Sequence, residues 1–100
     1  MRHLVRLLIA AMLLAASAEH LPARDHDRAR GAVQRGEALP LEQILGRIAG
    51  SHPGRMLDAR LDERGNRLEY QIRLLQADGQ VVELTVDART GEVRQVRGGR

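Results

Sequence analysis

One hundred residues with no cysteine and a formal net charge of +3 fit a single small domain without a disulfide staple. Phe and Trp are absent and Tyr70 is the only aromatic, so a core must come from Leu, Ile, Val, Met and Ala. Acids and arginines are interspersed and no stacking aromatics accompany the arginines, which argues against a nucleic-acid partner.

The chain begins with the three parts of an export signal. Arg2, His3 and Arg6 form a basic lead, Leu7 to Ala16 ("LLIAAMLLAA") is apolar, and Ala16-Ser17-Ala18 is a small-x-small cleavage site before Glu19. The apolar run is about half the ~20 residues that a membrane-spanning helix needs. The expectation is therefore a cleaved signal over residues 1–18, with membrane contact only through that signal and a periplasmic or secreted destination. Without Arg2 and Arg6, the 16 basic residues become 14 against 13 acidic ones, so the net charge falls from +3 to +1. A remainder this short, with so small a core, lies near the lower limit of independent stability, which favours a homodimer or a partner covering one face.

Residues 19–37 form a charged leader, either mobile or a short helix. Asp25 or Asp27 would cap that helix, with Ala29, Ala32 and Val33 on one side at i, i+3, i+4 spacing. Gly31 weakens it by up to ~1 kcal/mol relative to Ala. The second helix is better marked in "LPLEQILGRIAG". Pro40 suits a first turn, Leu41, Ile44, Leu45 and Ile48 make one apolar stripe, and Gly50 and Pro53 end it.

Three alternating segments follow. Leu57, Ala59 and Leu61 alternate with Asp58, Arg60 and Asp62. Leu68, Tyr70, Ile72 and Leu74 alternate with Glu69, Gln71 and Arg73. Val82, Leu84 and Val86 alternate with Glu83, Thr85 and Asp87. Period two with one apolar face predicts an antiparallel sheet wet on the other side. Arg64-Gly65-Asn66 and Ala77-Asp78-Gly79 suit short hairpin turns. A fourth short strand, "EVRQV", follows Gly91. In the bend between the last two strands, Asp87 would accept backbone N–H bonds two or three residues on, and Gly91 would take the left-handed position. Asp87, Thr90 and Gly91 are thus read as a structural turn. The fold class expected is a two-layer α+β domain: three or four antiparallel strands with one helix on one face, over residues 38–97, and a disordered tail at 98–100.

With an export signal in front, then helix, hairpins and "DGQVVELTVDARTGEV" at the end, the chain resembles the PepSY domain family. The specific part is Val86, Asp87, Thr90, Gly91 and Val93, a strand leading into Asp-x-x-Thr-Gly and Val. The resemblance implies a helix packed on an antiparallel sheet. It also implies a non-enzymatic module that binds a protein or peptide of the cell envelope, such as a peptidase or signalling receptor. It brings no catalytic residues and no cofactor.

Other chemistry has little material. Ser51 and His52 adjoin in a loop, where neighbours rarely reach the geometry of a catalytic pair with a third orienting group. His20, Asp25, His26 and Asp27 are suitable ligand types for zinc or another divalent ion, and a metal-binding or metal-sensing protein is the alternative reading. Consecutive residues diverge in direction, however, and the Asp side chains also suit a helix N-terminus. The remaining carboxylates are expected to pair across strands with Arg60, Arg67 and Arg73 on the wet face, which Arg60, Glu69, Gln71, Arg73, Glu83 and Thr85 should line.

Overall fold

A computed structural model describes residues 21–99. The expected signal at 1–18 and His20 lie outside the described residues. Among the described residues two helices, α1 (Ala23–Gln34) and α2 (Leu41–Ile48), precede four strands, β1 (Arg55–Arg64), β2 (Arg67–Leu75), β3 (Val81–Asp87) and β4 (Val93–Gly98). The strands form one antiparallel sheet in the order β1-β2-β3-β4, each paired with its neighbour in sequence. This is the α+β class expected from the alternating segments.

The core sits between the helices and one face of the sheet. Ile44 and Ile48 of α2 meet Ala59, Leu61, Tyr70, Ile72, Leu74, Val82, Leu84 and Val86, all buried. The Tyr70 hydroxyl lies among these apolar side chains and donates to the Leu39 carbonyl at 3.1 Å. Burial pushes its phenol above the ordinary value of 10.0, because the anion would lose its water.

The leader is ordered as α1. Its stripe is thin but sufficient, since Ala29 and Ala32 are buried in the same core and Val33 packs at its rim. The expected cap is corrected: Pro22 occupies the N-cap position and no side chain caps the helix. Pro22 supplies the fixed φ that a helix start accepts, and Asp25 is turned to another use described below. The C-terminus closes as a Schellman motif. Gly36 at φ 73° lets its own N–H reach the Val33 carbonyl while Glu37 N–H reaches the Ala32 carbonyl. Pro40 likewise precedes α2 as its N-cap rather than lying inside it.

Leu57 departs from the expected alternation. A β-bulge between Met56 and Asp58 sets Met56 opposite Leu74 and Asp58 opposite Arg73, leaving Leu57 as the extra residue. Met56 therefore packs against the core in its place, and Leu57 is 40% exposed. The tail expected from 98 onward also begins inside β4. Gly98 pairs with Val82, and a Cβ on it would stand 2.9 Å from the Val81 carbonyl oxygen.

Candidate functional site

Three places hold the residues that carry potential chemistry: the start of α1, the bend between β3 and β4, and the outer face and edges of the sheet.

On α1 the side chains of Asp25, His26 and Asp27 fan apart, as successive helical positions must at roughly 100° each. Asp25 Oδ2 accepts the backbone N–H of Leu61 at 3.0 Å, and Arg28 Nη1 donates to the Leu61 carbonyl at 3.2 Å. Because β1 is an edge strand, this pair of side chains occupies both hydrogen-bonding groups of one residue as a neighbouring strand would. Arg28 also lies 3.4 Å from Asp25 Oδ1. His26 lines an open apolar groove between the helices, with Leu21, Ala29, Val33, Leu41 and Leu45, above Tyr70. Asp27 lies on the opposite flank, toward Arg35 and Arg67. Among the described residues no three His, Asp or Glu stand together as a metal site. The ligand types noted in the sequence are thus not gathered by the fold at Asp25, His26 and Asp27.

The bend from Asp87 to Glu92 is pinned from several sides. Asp87 Oδ1 accepts Arg89 N–H at 2.8 Å and Thr90 N–H at 3.2 Å, and Gly91 holds φ 79°. Gly91 N–H returns to the Asp87 carbonyl at 2.8 Å, and Thr90 Oγ1 accepts Glu92 N–H at 3.2 Å. Ala88, fully buried, donates to the Leu68 carbonyl and accepts from Leu39 N–H. From α2, Arg47 Nη1 donates to the Thr90 carbonyl at 2.8 Å. Every polar group named in this bend is spent on the chain itself.

Asp87 Oδ2 meets the Arg94 guanidinium at 2.8 Å through Nη2 and 3.3 Å through Nε. A bulge in β4 makes this possible: Val86 pairs with Val93 and Thr85 with Gln95, so Arg94 is the extra residue and its side chain is re-aimed over Asp87. Burial raises the Asp87 carboxyl, but the Arg94 contact and the Arg89 and Thr90 N–H groups outweigh it and hold it below the ordinary carboxylate value.

The outer face is less wet than its composition suggests. Glu69 and Gln71 are buried, and Gln71 Oε1 accepts Thr85 Oγ1 at 2.8 Å. Glu69 stands between Asp62 and Asp87 in the register, and its Oε1 has no hydrogen-bond partner, the nearest cation being Arg64 Nε at 3.8 Å. Of the three arginines expected to pair across strands, Arg73 does so, 2.8 Å from Asp58. Arg60 and Arg67 make no ion pair with any described residue.

Ser51 Oγ lies 2.9 Å from His52 Nδ1, so the reach that adjacency seemed to deny is present. The loop after α2 curls back, with Ser51 N–H and His52 N–H both bonded to the Ile48 carbonyl, and this turns the two side chains together. No described carboxylate is hydrogen-bonded to the ring, and Ser51 is exposed. Among the described residues no third group orients the base as a catalytic pair requires.

The two sheet edges differ. The β1 edge is closed at Leu61 by Asp25 and Arg28. The β4 edge from Arg94 to Gly98 is exposed throughout, with Val96 at 50% on the helix side of the sheet. No helix among the described residues is long and apolar enough to cross a membrane.

A family model described as "Peptidase propeptide and YPEB domain" (PepSY) matches residues 38–97. No curated protein and no solved structure matches the chain. The matched segment takes in α2, all four strands but for the last residue of β4, and the pinned bend; α1 lies ahead of it.

Proposed function

Since the chain belongs to the PepSY family, we propose that it is an exported, non-enzymatic binding module that restrains or modulates a protein of the cell envelope, such as a peptidase or a signalling receptor. The observation that carries this reading is the open β4 edge beside a bend in which Asp87 and Thr90 are spent on the chain's own backbone N–H groups. That edge offers main-chain bonding to a partner. The family description, which names peptidase propeptides, supports a peptidase as one class of target. The basic lead, apolar run and small-residue exit before Glu19 support export.

Crosslinking the protein in living cells and identifying what it captures tests the reading. A specific envelope protein, absent from an unrelated exported control, is the expected result. Capture of nothing beyond the control would overturn it. The alternative, a metal-binding protein, has only ligand type in its favour at His20, Asp25, His26 and Asp27. Calorimetric titration with zinc, copper and nickel, compared with His26→Ala, decides against it if the two proteins behave alike.

A further inference from the structure

The outer face of the sheet carries a row of charge that crosses all four strands. Asp58 on β1 is registered with Arg73 on β2, Arg73 with Glu83 on β3, and Glu83 with Arg97 on β4. The signs run negative, positive, negative, positive. The first pair closes at 2.8 Å. Opposite charges facing one another across strands stabilise a ladder, and like charges weaken it. The row ends in Arg97, exposed at the open edge and in no ion pair with a described residue. The row formed by Asp87 and Arg94 also ends in a guanidinium there. On the other face the same edge ends in the half-exposed Val96, beside fully buried Leu84.

From this edge we infer that β4 receives an extended segment of a protein partner as a fifth strand, one in which apolar residues alternate with acidic ones. The acidic side chains continue the charge rows beside Arg97 and Arg94, and the apolar ones cover Val96. Main-chain hydrogen bonds along β4 hold the segment, and the alternation selects it. The inference rests on the protein-binding reading above and names the chemistry of its target.

A second copy of this chain fits the edge poorly. Two β4 strands related by a two-fold axis pair antiparallel about one residue set opposite its own copy; centred on Val96, that pairing sets Arg97 opposite Gln95 and Arg94 opposite Gly98. Each strand carries two arginines and no acid, so a second copy offers neither guanidinium an opposite charge. The bulge and the arginines therefore discourage self-pairing while leaving an acidic strand welcome.

The test uses the full chain, isotope-labelled, and three ten-residue peptides. One alternates valine with glutamate, one alternates valine with lysine, and one repeats the valine–glutamate sequence with alternate backbone amides N-methylated on the edge that would face β4. The expected result is saturable chemical-shift change at Arg94 to Gly98 with the valine–glutamate peptide. The lysine peptide binds about five- to tenfold more weakly, since each reversed cross-strand charge is worth a fraction of a kcal/mol to about 1 kcal/mol. The N-methylated peptide loses binding, and Arg97→Glu narrows or reverses the preference for acid. Equal binding of the acidic and basic peptides, unimpaired binding of the methylated one, shifts mapping to the α1–α2 groove, or no binding at all would each overturn the inference. In-cell crosslinking with Arg97→Glu separates this from the broader reading. A partner captured equally by both proteins removes the edge assignment and keeps the binding module. A partner lost with Arg97→Glu supports both. No partner for either protein removes the proposed function, and the peptide titration alone then judges the edge.

Discussion

Replacing Gly91 with alanine separates backbone strain from side-chain contact. Gly91 holds φ 79°, a left-handed conformation that costs a residue with a Cβ about 1–2 kcal/mol. A Cβ there would also stand 3.1 Å from Arg47 Cδ. Arg47 must then move, and its 2.8 Å bond to the Thr90 carbonyl is strained or lost. An exposed hydrogen bond of this kind contributes about 0.5–1 kcal/mol. Gly91→Ala should therefore destabilise by roughly 1.5–3 kcal/mol by these two terms together. In a domain of this size each kcal/mol lowers Tm by about 4–8 °C. Gly36 provides the comparison, since its φ of 73° is nearly the same but a Cβ would meet nothing within 4 Å. Gly36→Ala should show the backbone part alone. In an Arg47→Ala background the excess at Gly91 should vanish, leaving a coupling of about 0.5–1 kcal/mol in the double-mutant cycle. Urea unfolding followed by far-UV circular dichroism measures all of these. A Gly91→Ala midpoint equal to that of the wild type would refute the turn geometry. A cycle that closes additively would refute the role given to Arg47.

Ile44→Asp should leave no cooperative thermal transition, because it places an unpaired carboxylate at a fully buried position between helix and sheet; a retained transition would mean that α2 does not cover the strands. Asp87→Asn should lose about 1.5–3 kcal/mol at neutral pH, the range for hydrogen bonds to a charged group. The native carboxyl lies below its ordinary value of 3.8, so this advantage of the wild type is complete above that pH and drains away as pH falls through the native value; a stability difference that does not change between neutral and strongly acidic solution would contradict the assignment. Asp25→Ala should lower the protection of the Leu61 amide in hydrogen exchange well beyond that of its β1 neighbours, with a loss of about 1–3 kcal/mol in stability from the vacated N–H group; uniform protection along β1 would show that the edge is not held there.

Much of this arrangement was legible in the order of residues. Alternation named the inward positions Ala59, Leu61, Tyr70, Ile72, Leu74, Val82, Leu84 and Val86, because a half-buried sheet leaves its period in the chain. The four-residue stripe of α2 was equally plain. Leu57 was misplaced because a bulge adds one residue without any compositional mark, so the alternation ran on to Leu57 where the fold sets Met56 opposite Leu74. Asp25 read as a cap because local rules see only local partners, and its true partner is the Leu61 amide 36 residues away. The row from Asp58 to Arg97 was hidden for the same reason. Each charge was visible singly, but only strand register sets Arg73 between Asp58 and Glu83. The Ser51–His52 contact depended on how the loop curls onto the Ile48 carbonyl, which no residue pattern encodes.

Tyr70 has one more consequence. With no Phe, Trp or second Tyr in the chain, it is also its only near-ultraviolet chromophore. Its absorbance and emission therefore report one point, where the phenol hydroxyl meets the Leu39 carbonyl. Swinging the α1–α2 linker away from the sheet would break that bond and shift the tyrosine band while the far-ultraviolet signal of the strands persists. The protein thus carries a built-in optical gauge, and comparing the two wavelengths during unfolding reads whether helices and sheet part company before the sheet itself dissolves.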